Sequence, residues 1–156
     1  MIQFDTPEFG SSLNGLPDPY AQAGFYQGIA FKRLIAWIFD GLVTLVAAFI
    51  VSILTLGLGF FIFFGIWAVL AFLYRIATLT SGSSTWGMRL MSMELRKGDG
   101  SKFDGSTALL HTAGTYVCFA TGIQIFSIIM MLVTSRGQGL PDVLLSTTAL
   151  NQRARL

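Results

Sequence analysis

Charge is the scarce ingredient of this sequence. Asp, Glu, Lys and Arg make up 12% of its 156 residues, about half the roughly 25% usual in a soluble domain. The deficit is local: none of the four occurs from Gly41 to Tyr74, nor from Gly105 to Ser135. Uncharged apolar runs longer than about 18 residues are candidate membrane spans. With 53% hydrophobic residues and a mean hydropathy of +0.67, the chain reads as a polytopic integral membrane protein with one compact membrane domain. Cysteine is nearly missing too. Cys118 stands alone, which excludes a disulfide framework and leaves the redox compartment unspecified. No Lys or Arg precedes Lys32, while Asp5, Glu8 and Asp18 do; that is the wrong start for a cleaved signal peptide, and none is expected. No Walker loop, Rossmann fingerprint, HExxH or GxSxG is present, so no enzyme, catalytic residue or cofactor is expected. A net charge of +2 is too small to point to nucleic acid.

What is present divides the chain. Residues 1–24 are a polar, Gly/Pro/Ser-containing tail, expected to be mostly unstructured and docked at best by Tyr20, Phe25 and Tyr26. Two spans are expected over residues 34–56 and 60–79, joined by the two-glycine turn "LGLG" at 56–59 into a helical hairpin. Residues 80–106 are the main polar connector. Met91, Met93 and Leu95 alternate there with Ser92, Glu94 and Arg96 before the turn signal "KGDGS". That period of two predicts a short interfacial strand or hairpin, with an amphipathic helix over 84–95 as the competing reading. The third apolar segment, 107–134, contains Gly114, Gly122 and Gln124; it is either one tilted span or a hairpin bent near 120–124. A helix start follows at Pro141, and residues 152–156 form a basic end. The fold class is thus an all-α membrane protein: a two-span hairpin, a third apolar segment and a short interfacial strand or amphipathic connector.

Basic residues set the expected orientation. Lys32 and Arg33 precede the first span, the first turn is uncharged, and Arg75, Arg89, Arg96, Lys97 and Lys102 lie at or in the connector. The N-terminus and connector therefore face the cytoplasm under the positive-inside rule. A single third span would export Arg136, Arg153 and Arg155, whereas a bend keeps all ten basic residues inside.

The charged positions also carry a resemblance. Arg33 opening the first span, Asp40 inside it, "SSTWGMRLMSMELRKGDG" at 83–100 and "SRGQGLPDVLLSTTAL" at 135–150 together resemble the RDD family of small membrane proteins, named for one arginine and two aspartates. Matched residue by residue, the arginine is Arg33 and the aspartates are Asp40 and Asp142, over about residues 25–151. Two positions depart from the pattern: Gly87 is followed by Met88 where the family usually has lysine, with Arg89 next. His111 stands where an arginine is frequent near the start of the third segment. The resemblance implies a bacterial inner-membrane location. It also implies either transport, including cation/proton antiport, or partnership in larger membrane assemblies.

Each charged residue has a structural and a functional reading. Counting from Leu58, Asp40 lies 18 positions before and Ile76 18 after, so Arg75 stands at Asp40's depth on the neighbouring helix. At about 1.5 Å per residue that depth is roughly 27 Å from the turn, near the edge of a core about 30 Å thick. Asp40 is expected to pair with Arg75; the functional reading is an ion-coupling carboxylate. Arg33 is expected to snorkel to the interface or to join a network with Asp40 or Asp142. Asp142 follows Pro141 as helix-start chemistry, or clamps Arg33, Arg89 or Arg136. His111 and Cys118 are expected to pack as core residues, Asp99 and Asp104 to serve turns, and no metal site is expected. The expected role is a small non-catalytic accessory or scaffold subunit of a membrane assembly. It would work in the lipid bilayer with other membrane subunits or as a homo-oligomer, and not with nucleic acid. The alternative is a cation/proton transporter, or part of one, using Asp40.

Overall fold

The computed structural model describes residues 15–152; the first part of the expected tail, Arg153 and Arg155 lie outside the described residues. Helix α1 (Ile29–Leu54) and helix α2 (Phe63–Gly82) form the expected hairpin. With its flanking 3-10 turns each arm is long and apolar enough to cross a membrane, over Ala23–Leu54 and Leu58–Gly82. Lipid tails are as apolar as leucine, so spans are held by close packing of small residues and by polar contacts rather than by a hydrophobic drive. Helix α1 follows that rule. Its buried positions Ala36, Asp40, Thr44, Ala48 and Ser52 recur every fourth residue, a single stripe of a 3.6-residue helix. Large residues such as Leu42, Val46, Phe49 and Ile53 stay exposed to lipid. Trp67 of α2 donates its ring N–H to Thr44 Oγ1 at 3.1 Å. At the turn, Thr55 Oγ1 accepts the Gly59 N–H at 2.8 Å, and a Cβ on Gly59 would strike the Ser52 backbone.

The remaining elements gather at the other end of the hairpin. They are helix α3 (Trp86–Leu90), strand β1 (Met93–Lys97), helices α4 (Gly105–Ala120), α5 (Gln124–Val133) and α6 (Leu140–Leu144), and strand β2 (Thr147–Asn151). The connector is therefore neither one amphipathic helix nor a local hairpin. It is a one-turn helix and a strand whose partner is β2, antiparallel, from Met93 opposite Asn151 to Lys97 opposite Thr147. The period of two placed the strand; nothing in the "KGDGS" turn disclosed so distant a partner. Ser83, left-handed at φ 55° and fully buried, joins these parts. Its carbonyl accepts from Leu95 N at 2.7 Å and its hydroxyl from Phe103 N at 2.8 Å. The main apolar core lies here, with Ile29, Leu79, Met88, Met93, Leu95, Phe103 and Ala149 in one cluster.

The third apolar segment is not one straight helix. The chain bends by 115° between helices α4 and α5, across a break where Gly122 takes φ 75°, a left-handed angle that glycine adopts without strain. The N-terminal stretch docks on the same end through Tyr26, whose hydroxyl donates to the Pro17 carbonyl at 2.7 Å, and through Leu16 and Phe25 against Leu150. Tyr20, expected to help, is 83% exposed. Asn151 closes the assembly: its amide donates to the carbonyls of Gly24 at 3.0 Å and Gln27 at 2.9 Å, and Lys32 Nζ donates to its Oδ1 at 2.6 Å.

Because β1 and β2 are paired, the connector and the C-terminal strand are expected on one side of a bilayer. In a Cys118→Ser background, single cysteines at Ser101 and Gln152 should react with an impermeant thiol reagent from the same side. Reaction from opposite sides would mean that residues 105–133 cross the membrane completely.

Candidate functional site

Asp142 is where most of the buried charge converges. Its position follows from local chemistry: Gly139 caps a one-turn helix, and Asp142, third in that helix, accepts the Gly139 N–H at 2.9 Å. An acid there satisfies a donor that the helix start leaves open. The same Oδ2 accepts from Arg33 Nη1 at 2.5 Å. Oδ1 accepts from His111 Nε2 at 2.7 Å and from Thr147 Oγ1 at 3.4 Å. The carboxylate is completely buried. Burial opposes its ionisation, but the Arg33 charge and the bonds from His111 and Arg33 prevail and hold the carboxyl below the usual carboxylate range. Both readings of Asp142 are therefore realised at once, with Arg33 as the clamped arginine. Arg33 does not snorkel.

His111 corrects the expectation of plain packing. It is 1% exposed, edge-on to Phe103 at 5.5 Å, and bonded to Asp142. Its Nδ1 has no partner among the described residues. A buried lone pair without a donor is less costly than a buried N–H without an acceptor, so the ring is a neutral Nε2–H tautomer. The available signal was its place in the family pattern. His111 stands where an arginine is frequent, and both side chains can donate to an acid. The acid came from another element, 31 residues on, which a search within the segment misses.

Asp40 is also buried, at 7% exposure, but the expected ion pair with Arg75 is not formed. Asp40 Oδ1 accepts from the Tyr74 hydroxyl at 2.8 Å and from the backbone N–H of Gly87 at 2.8 Å. The equal-depth count was sound, yet it selected the wrong neighbour: Tyr74, one residue earlier, faces Asp40. Tyr74 also accepts the Trp86 N–H at 3.0 Å through the same hydroxyl, so the pair pins the start of α3 to the hairpin. Gly87 is needed for this, because a Cβ there would run into the Ala36 carbonyl of α1. The Arg75 guanidinium makes no hydrogen bond or ion pair with a described residue, and its Nε is buried without an acceptor.

Arg89 and Arg136 stand apart from this group. Arg89 is exposed and donates to Ser84 Oγ at 3.2 Å; the charge on Arg136 lies beside Tyr26 and Asp18. Asp104 and Asp99 serve turns, as read: Asp104 caps α4 through the Thr107 N–H at 2.8 Å, and Asp99 accepts the Ser101 N–H at 2.8 Å. Among the described residues no three His, Cys, Asp or Glu side chains gather as metal ligands.

A family model described as RDD family matches residues 28–146, a stretch that contains Arg33, Asp40 and Asp142. No curated protein and no solved structure matches the chain.

Removing one partner of a buried ion pair costs about 3–5 kcal/mol. Asp142→Asn and Arg33→Gln should each lower thermal stability in mild detergent on that scale, and the double variant should lose less than the sum. The coupling measured for Asp40→Asn with Tyr74→Phe should exceed that for Asp40→Asn with Arg75→Gln, the reverse of what an Asp40–Arg75 pair would give. Gly87→Ala should lower the melting temperature clearly more than Gly24→Ala, where a Cβ meets nothing within 4 Å.

Proposed function

From the premise that this chain belongs to the RDD family, we propose that it is a small non-catalytic accessory or scaffold subunit of a membrane assembly. The observation that carries this reading is where the polar groups stop. Asp40, Arg75, His111, Asp142 and Arg33 lie toward the charged end. Beyond Thr44, the hairpin's buried polar side chain is Ser52, whose hydroxyl donates to the Ala48 carbonyl of its own helix at 2.9 Å. A permeation path needs polar groups along its length, and the outer half of this hairpin provides none that is unspent. Lipid-facing leucines, isoleucines and phenylalanines on both spans give area for a neighbouring subunit or a second copy.

The location that goes with this reading is the bacterial inner membrane, with the tail, β1 and β2 facing the cytoplasm. Eight of the basic residues, from Lys32 and Arg33 to Arg136, belong to the described charged end or its borders, the distribution the positive-inside rule associates with the cytoplasm. In the same reading the bent α4–α5 pair is re-entrant and returns to the side it left. One observation favours the transport alternative: Asp40 and Arg75 both line cavities, so a translocated ion would meet them there.

Extraction in a gentle detergent, followed by native sizing and identification of co-purifying proteins, tests the proposal. A stable complex with other membrane proteins is the expected result. A small homo-oligomer that moves ions or protons in reconstituted vesicles, with the flux abolished by Asp40→Asn, would replace it with transport.

A further inference from the structure

Two cavities meet at Arg75. The smaller, about 250 Å³, lies among α1, α2 and α4; the larger, about 540 Å³, lies among α1, α4 and α5. They share Trp37, Asp40, Arg75, Thr115 and Phe119. The larger is within the usual range of ligand pockets, about 300–1,000 Å³. Its rim is apolar and open on the lipid side, where Phe31, Leu34, Trp37, Ile128 and Leu132 are exposed. Its depths hold unspent polar groups. Among the described residues the Arg75 guanidinium has no acceptor, and the buried Nδ1 of His111 and Oε1 of Gln124 have no partner. Asp40 commits Oδ1 to Tyr74 and Gly87, and no described group bonds its Oδ2.

An unpartnered guanidinium in an apolar cavity calls for an acceptor, and a phosphate suits its fork of donors. Charge balance decides the rest. Arg33 offsets Asp142, Arg75 offsets Asp40, and His111 is neutral, so the buried group sums to zero. A purely anionic ligand would leave one uncompensated negative charge out of water, and a cation would leave Arg75 unsatisfied. A zwitterion answers both. Asp40 Oδ2 supplies an acceptor for an ammonium that still carries protons, and His111 and Gln124 line the same cavity. The lateral apolar opening selects a molecule that arrives from the bilayer. The level fits as well: Asp40 is bonded to Gly87 of α3, and a depth of roughly 27 Å from the turn puts it near the edge of a core about 30 Å thick.

We propose that the larger cavity binds a phospholipid whose head carries a primary ammonium. Its phosphodiester rests on Arg75, its ammonium on Asp40, and one acyl chain leaves between α1 and α5. This goes beyond the accessory role and holds whether or not a protein partner exists.

The test is competition on the wild-type protein in detergent. Phosphatidylethanolamine, phosphatidylcholine and phosphatidylglycerol with identical chains are added together, and the retained lipid is identified by mass spectrometry. The ethanolamine lipid should be retained about tenfold over the choline lipid, which has no N–H to give, as expected for one charge-assisted hydrogen bond. It should also raise the melting temperature most. Arg75→Gln should abolish retention of all three lipids, and Asp40→Asn should abolish the ethanolamine preference. Equal retention of the three lipids, or preference for phosphatidylglycerol, would overturn the proposal even if Asp40→Asn fails to fold. So would displacement of the bound lipid by equimolar soluble glycerophosphoethanolamine, since the chain would then contribute nothing.

Discussion

The structure depends on one carboxylate being kept charged where no water reaches it. A lone buried ion of that kind is prohibitive, and even a good pair roughly breaks even against its desolvation. Asp142 is tolerated because four donors reach it from four places: the Arg33 guanidinium on α1, the His111 ring on α4, the backbone N–H of Gly139 beside it and, more distantly, the Thr147 hydroxyl on β2. Each donor belongs to an element with another reason to be there. The carboxylate therefore serves as a register mark: α1, the bent pair and the C-terminal segment satisfy it together only in one arrangement.

Away from that end, a different physics takes over. Between the spans there is little large apolar core, because burying leucine against leucine gains almost nothing over burying it in lipid. The stripe Ala36–Asp40–Thr44–Ala48–Ser52 lets the backbones approach, and hydroxyls bonded to their own helix, as at Thr44 and Ser52, leave no polar group bare. At the charged end, where the chain meets water, an ordinary globular core reappears around Met93, Leu95, Leu79 and Phe103. The molecule is thus a lipid-solvated hairpin carrying a small water-facing fold. Asp40 is the fastener between the two, holding Tyr74 of the hairpin and Gly87 of the cap with one oxygen.

Much of this was legible in the residues. Missing charge located the hairpin, period-two alternation located β1, and Gly122 with Gln124 marked the break that the third segment takes. The two aspartates of the family pattern fell on buried, bonded positions and its arginine on a half-buried, bonded one. The partners were harder to read, for a consistent reason. Depth along two helices is countable, but azimuth is not, so the count found the level of Asp40 and missed Tyr74 by one residue. Pairing across long separations leaves even less trace: nothing in Thr147–Asn151 names Met93–Lys97. The every-fourth stripe on α1 was present in the sequence but was overshadowed by the charged residue inside it.

The distance in sequence between β1 and β2 sets the order in which the molecule can be finished. During synthesis α1 and α2 are available to enter the bilayer long before Thr147 has been made, since insertion of a span needs only the span. Until residues 139–151 arrive, Arg33 lacks the Asp142 carboxylate, His111 lacks an acceptor for its Nε2–H, and β1 presents a bare edge that invites wrong pairing. Insertion and completion are therefore separate events, and the second is triggered by the last described strand. A chain interrupted before it would sit in the membrane with an unsatisfied guanidinium and an open strand edge. Those are the chemical marks by which an incomplete copy differs from a finished one.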